Sequence, residues 1–366
     1  MINRLSLNVL GSCKKIGSNR LLVSSTSNIY NKNVLNFSTS TKTTNNNNKD
    51  KLTTKSIQDK VENITAKENV ASPSTKSISI DEIATPQDYN YVFERAKLSD
   101  KENYRCSLLI NDPSARRASY ALRTFNIETV STDFGVKTEK MAKLRLAFWK
   151  DAINNIYNGK VYDQPLTRVL AQIIKEKQLT KTWFIKLLNR REKDLQSVQL
   201  RDMDELEAYS DDIYSSLILL TLEAMGVKGN HDIEHCASHL GKAVGIMVLI
   251  RGTPFHVSRR KLYIPVELTT KYGIKPEQLF RGEVDVPALK NAIYDMASLA
   301  KLHLEKARSF KAPPPTNQAF LIAQMVEDFL RRIQQVDFNV FKYEEDTTPD
   351  ALLLIKLYKN KFFDKF

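Results

Sequence analysis

Residues 231–265 read HDIEHCASHLGKAVGIMVLIRGTPFHVSRRKLYIP, and the fold turns on this stretch. Ala237, Gly241 and Gly245 recur at steps of four ahead of and within the apolar run Ala243–Ile250, so they share one helix face. The pattern predicts a helix over 231–251, ended near Arg251. A short irregular stretch holding Pro254 follows, then the basic cluster Arg259, Arg260 and Lys261. The small face serves either close approach of a second helix or room for a ligand's tail. His231, His235 and His239 also recur at steps of four, drifting about 40° each around the helix. Such spacing can hold zinc if further ligands arrive from elsewhere. Alternatively, His231 helps to cap the helix start near Asn230 while the other two fill or rim the core.

Outward from this helix the same period continues. Ala142, Leu146, Trp149, Ile153 and Ile156 fall at steps of four and three, with Gly159 as a stop. Leu206, Tyr209, Ile213, Leu217, Leu220 and Ala224 repeat the pattern before Gly226. Leu217–Leu222 is apolar nearly all round, which marks a helix buried on several sides. Further helices are predicted over 114–131, 165–177, 181–194, 286–309 and 316–335, with Pro313–Pro315 parting the last two. No alternating strand pattern competes. Only 11 Gly and 12 Pro occur in 366 residues, and 42% of the chain is apolar, enough for a packed core. The expected class is all-α.

The formal net charge is +13. Its placement matters more than its size. From Met1 to Lys49 there are seven basic residues and no acidic one; removing those seven from the 55 leaves an excess of six over the 42 acidic residues. That remainder is ordinary for a globular domain and gives no reason to expect nucleic acid as a partner. The acid-free leader, rich in Ser, Thr and Asn with scattered Leu and Val, has the composition of a mitochondrial presequence. Residues 1–45 are assigned to it, 46–84 to a disordered linker, 85–340 to the helical domain and 341–366 to a C-terminal helical tail. Three cysteines, one of them in the leader, make no disulfide framework. No run reaches the about 18 apolar residues needed to span a bilayer, so membrane association is expected to be peripheral. In the tail, Lys361 and Lys365 fall roughly opposite Lys356 and Lys359, which leaves no clean apolar face.

Three blocks carry a family resemblance: RRASYALRTFNIETV at 116–130, LRLAFWKD at 144–151, and GKAVGIMVLIRGTPFHVSRRKLYIP at 241–265. Together they resemble the squalene/phytoene synthase family, loosely over 90–335 and in the family's order. The resemblance implies an isoprenoid (terpenoid) synthase-like helical bundle. In the family's enzymes two aspartate-rich motifs on facing helices hold Mg²⁺, which binds a prenyl diphosphate and neutralises the departing charge. Here the first motif's aspartate positions fall at Ile127 and Ser131, with Glu128 surviving between them, and the second motif's at Gly252 and His256.

The resemblance therefore implies a pseudoenzyme with no catalytic residue, no metal and no cofactor. Its vestigial pocket would be built from Tyr120, Asn126, Glu128, Arg251, His256, Arg259, Arg260 and Tyr263. The arginines among these, with Lys261, either hold an anionic ligand or lipid headgroup or complement helix carboxyl ends. The wording of the first and third blocks is nearest to a branch that acts in assembly of respiratory complex I. On that basis the expected role is a non-enzymatic assembly factor acting early in biogenesis of the complex's membrane part. Complex I subunits or assembly intermediates are the expected partners. The expected place is the matrix side of the mitochondrial inner membrane, with a lipid-like ligand possible in the old pocket. The alternatives are a metal-dependent prenyl transferase and a lipid-binding protein.

Overall fold

The computed structural model of the protein describes residues 77–79, 84–134, 139–196, 199–283, 286–344, 350–363 and 366. The expected presequence lies outside the described residues, as does most of the expected linker. Within that linker, Ser77–Ser79 form a strand, β1, paired antiparallel with β2, Lys160–Tyr162, with Ile78 opposite Val161. This small ladder was not legible as alternation because each strand has three residues.

The other regular elements among the described residues are helical. Helix α1, Pro86–Ser99, starts at a capping box in which Thr85 and Asp88 satisfy each other's backbone N–H groups. Asp88 also accepts from Arg168 Nε at 2.9 Å and from its NH2 at 2.6 Å, which ties α1 to α5, Pro165–Lys177. Between them run α2, Lys101–Leu108, α3, Pro113–Phe134, and α4, Glu139–Tyr157. Helix α6 spans Lys181–Gln196, α7 Met203–Ser210 and α8 Ser216–Ala224. A π-helical turn, Asp211–Ser215, joins α7 to α8 where one continuous helix was expected. Every residue of α8 is buried, as its all-round apolar sequence requires.

Helix α9, His231–Ser258, crosses the middle of the bundle. It runs seven residues past its expected end and straight through Pro254. That proline costs about 3 kcal/mol in a helix interior. Burial of Thr253 and Val257 on the core face, with the Thr253 hydroxyl donating to Leu249 O at 3.1 Å, holds the extension in place. The helix is long and apolar enough to cross a bilayer by length and composition, contrary to the sequence reading. In the fold 67% of that window is buried against neighbouring helices.

The remaining elements are α10, Val266–Lys271, α11, Pro276–Phe280, α12, Pro287–Arg308, a 3-10 turn at Thr316–Phe320, α13, Ala323–Gln335, and α14, Asp350–Phe362. Helix α9 packs against α12 on one side and the π-helical turn on the other, while α3 packs against α1 and α8.

The stripe of small residues on α9 is a packing seam. A Cβ on Gly241 would meet Ser215 N at 2.4 Å, and one on Gly245 would meet Ser210 Cα at 2.7 Å. Normal carbon contacts lie near 3.5–4.0 Å, so glycine is required for this approach. No ligand tail fits between α9 and this wall.

Candidate functional site

The two poles of the expected pocket are α3 near Ile127 and the end of α9 near Gly252. At the second pole, His256 sits over Gly252, on the next turn of the same helix. A Cβ at residue 252 would come within 2.8 Å of His256 Nε2, so the imidazole occupies the space that a side chain there would need. The ring also packs against Tyr263, with centroids 4.5 Å apart. Burial, followed by the charges of Lys261, Arg259 and Arg191, pushes the His256 pKa down to about 3. The group is thus a neutral imidazole at physiological pH.

Three buried arginines stand near these positions, with Asp100 acting on Arg123 and Asp194 on Arg191. Arg191, from α6, is buried; it donates to Tyr209 Oη at 3.1 Å and to Asn126 Oδ1 at 3.2 Å. Arg190 beside it is also buried, lies over the Tyr209 ring at 5.0 Å and approaches Glu205 at 3.7 Å. Arg123, one turn before Ile127 on α3, is the third buried guanidinium, and burial lowers its pKa. The Nε atoms of all three have no hydrogen-bond partner among the described residues. Tyr263 completes the wall by donating to Asp194 Oδ2 at 2.8 Å.

Asn126, His256 and Tyr263 therefore gather around Arg191 and Tyr209. The other expected pocket residues do not join them. Glu128 accepts from Arg95 Nε at 2.9 Å, and Arg251 donates to Glu102 Oε1 at 2.7 Å, each engaged with α1 or α2. Tyr120 is a core aromatic, 5.3 Å from Phe93 and 5.7 Å from Tyr104 by ring centroids, with burial raising its pKa to about 12. Arg259 stacks over Phe255 at 4.6 Å. Arg260 turns outward to Glu277 at 2.8 Å, on a left-handed backbone of φ 57°. The side chain of Ser131 lies outside the described residues.

Arg190, Arg191 and Arg123 were missed by the sequence reading. A signal existed for Arg191: it falls seven residues after Phe184, four after Leu187 and three after Leu188, and so on their buried face.

The histidine stripe resolves into two pairs. His231 and His235 approach through their Nε2 atoms at 3.0 Å, and His239 Nδ1 meets His303 Nδ1, from α12, at 2.9 Å. His303 Nε2 lies 3.2 Å from Glu207. The helix cap is Asn230, which accepts from Ile233 N at 3.1 Å, and His231 takes no part in it. Among the described residues no three His, Cys, Asp or Glu side chains are placed to hold a metal ion. Far from His256, at the other end of α9, a cleft of about 220 Å³ is walled by Trp183, Leu222, Val227 and Ile233. Its buried Glu223 is fully engaged, accepting from Thr180 N, Thr180 Oγ1 and Trp183 Nε1 at 2.7, 2.6 and 3.2 Å.

This helical bundle has the isoprenoid synthase-like fold. The backbone matches a solved dehydrosqualene synthase with a TM-score of 0.66 at 17% identity, covering 76% of this chain and 98% of that one. Residues 96–350 match the family described as squalene/phytoene synthase, and the chain belongs to that family. Its relatives include NADH dehydrogenase (ubiquinone) complex I, assembly factor 6 homolog of Dictyostelium discoideum, 63% identical over 92% of this chain and 93% of the relative. The Homo sapiens protein named NADH dehydrogenase (ubiquinone) complex I, assembly factor 6 is 40% identical over 74% of this chain and 80% of its own length.

Proposed function

We propose that this chain is a non-enzymatic assembly factor for mitochondrial complex I. It would work early in biogenesis of the membrane part, from the matrix side of the inner membrane, with residues 85–340 as the working domain behind a removable presequence. The observation that carries the reading is identity of 63% to the Dictyostelium relative along nearly the whole of both chains. Its partners are then subunits or assembly intermediates of complex I.

The interior supports the non-enzymatic half of the reading. Magnesium takes hard oxygen ligands, and a diphosphate leaves only when its growing charge is neutralised. Ile127 and Gly252 offer no donor, and His256 is a neutral nitrogen ligand wedged against Gly252. Glu128 is engaged by Arg95, and Arg191 donates to Asn126 one residue before Ile127. These residues do not fit magnesium. Deletion of the gene tests the assembly role: complex I should fail to accumulate on native gels, and normal complex I would refute it.

The fold's likeness to a dehydrosqualene synthase favours prenyl transfer as the second reading. It requires Mg²⁺-dependent release of diphosphate from prenyl diphosphates by the purified chain, and loss of that release in Glu128→Gln. Under the first reading no release occurs. The third reading, a lipid-binding protein, requires a lipid-like ligand that native mass spectrometry of protein from mitochondria would reveal.

A further inference from the structure

Helix α14 has two apolar sides, and the fold uses one of them. Leu353 and Leu357 are buried, as is Phe366 beyond the helix end, and Arg308 Nε donates to Phe366 O at 2.6 Å. Lys356 reaches Asp328 on α13 at 3.4 Å, and Asn360 donates to Gln324 at 2.8 Å. Docked this way, the helix turns Ile355, Tyr358 and Phe362, at steps of three and four, outward on a single stripe. Their exposures are 62%, 58% and 81%, and Phe363 beside them is 57% exposed. Four large apolar side chains on three turns form an exposed patch that calls for a partner. Lysines on opposite sides of the wheel, Lys356 and Lys359 against Lys361 and Lys365, hid this face in the sequence.

The charge around the stripe identifies the occupant. From Ala351 to Phe363 there is no acidic residue; Lys359 stands within the stripe, while Lys356 reaches Asp328 and Lys361 donates to Asn111 Oδ1 on the docked side. Phe and Tyr facing outward, with the Lys359 stem long enough to reach past them and no carboxylate among them, suit the headgroup region of an anionic bilayer. Aromatic rings insert at the acyl boundary while the ammonium groups stay with phosphate. We propose that the outward face of α14 is the surface by which this protein lies on an anionic phospholipid bilayer. The proposal rests on the peripheral membrane placement given above and adds the surface and the lipid class.

The test uses the full chain and protein-free vesicles, so its outcome is independent of any role in assembly. Wild-type protein should co-sediment with phosphatidylcholine vesicles containing phosphatidylglycerol and bind pure phosphatidylcholine more weakly. Phe362→Ser/Phe363→Ser should lower the partition coefficient by about tenfold or more. Its melting temperature should not change, because both rings are exposed. Lys359→Glu should weaken binding to the anionic vesicles and leave binding to the neutral ones unchanged. Failure of the wild type to bind either vesicle overturns the proposal, as does equal binding by the double serine variant. Recruitment through these residues to a protein, with no affinity for vesicles, overturns it too and makes α14 a protein-docking face. Vesicle binding by the wild type that the double serine variant loses, with complex I unaffected by gene deletion, would sink the assembly reading and leave this one standing.

Discussion

Substituting Gly241→Ala places a methyl group where α9 meets the π-helical turn. The new Cβ would sit 2.2 Å from Ser215 Oγ, 2.4 Å from its N and 2.5 Å from its Cα. The hydroxyl can rotate away, although it then gives up its bond to Ser238 O at 3.1 Å. The backbone atoms cannot. Relief requires α9 and the turn to move apart by about 1 Å to regain an ordinary carbon contact. Overpacking of this kind costs about 3 kcal/mol at the upper end of its range. Alanine returns about 1 kcal/mol through its better helix propensity. The net loss of about 2 kcal/mol should lower the melting temperature by about 4–8 °C for a domain of this size. Far-UV circular dichroism melts of the purified chain measure it. The Gly241→Ala/Gly245→Ala double variant should lose more than either single one, without strict additivity, because both residues press on the same wall. A melting temperature for Gly241→Ala equal to or above wild type would refute the seam, and the small-residue face would have to be open space instead.

Four further outcomes follow from buried groups. Ring NMR signals of His256 should not titrate between pH 5 and 8, because its folded pKa is about 3. The unfolded imidazole binds a proton below its ordinary value near 6.5, so His256 should make stability fall as pH drops from about 6.5 toward 3, and His256→Gln should flatten that slope in acid melts. Glu223→Gln converts an acceptor of three hydrogen bonds into a mixed donor and acceptor, and chemical denaturation should show a loss of about 1–3 kcal/mol. Tyr263→Phe deletes the bond to Asp194 and should cost about 1 kcal/mol by the same measurement while leaving the His256 contact in place.

The helical class was legible because core-facing residues such as Leu146, Trp149 and Ile153, or Leu217 and Leu220, must recur with the helix turn to reach one side. Helix α5 falls on its expected residues, 165–177. Boundaries failed where packing overruled local preference. Pro254 reads as a stop, yet buried Thr253 and Val257 carry α9 past it; the π-helical turn interrupts a period that looked unbroken. Family position marked Asn126, His256 and Tyr263, which do come together, but it also marked Arg260 and Glu128, whose partners lie on other elements.

By itself, the sequence determined that this chain is a helical bundle and that its first 49 residues are basic and free of acidic side chains. Tertiary structure alone decided that α9's glycines are spent on a wall of serine backbone and that His256 fills the space over Gly252. It also decided that Arg191 is buried between Tyr209 and Asn126 and that α14 turns its aromatics outward. The reason is that periodicity records which side of one helix is apolar. What that side touches, and which of two apolar sides is left over, depends on elements that are distant in the chain and reach it only in the folded state.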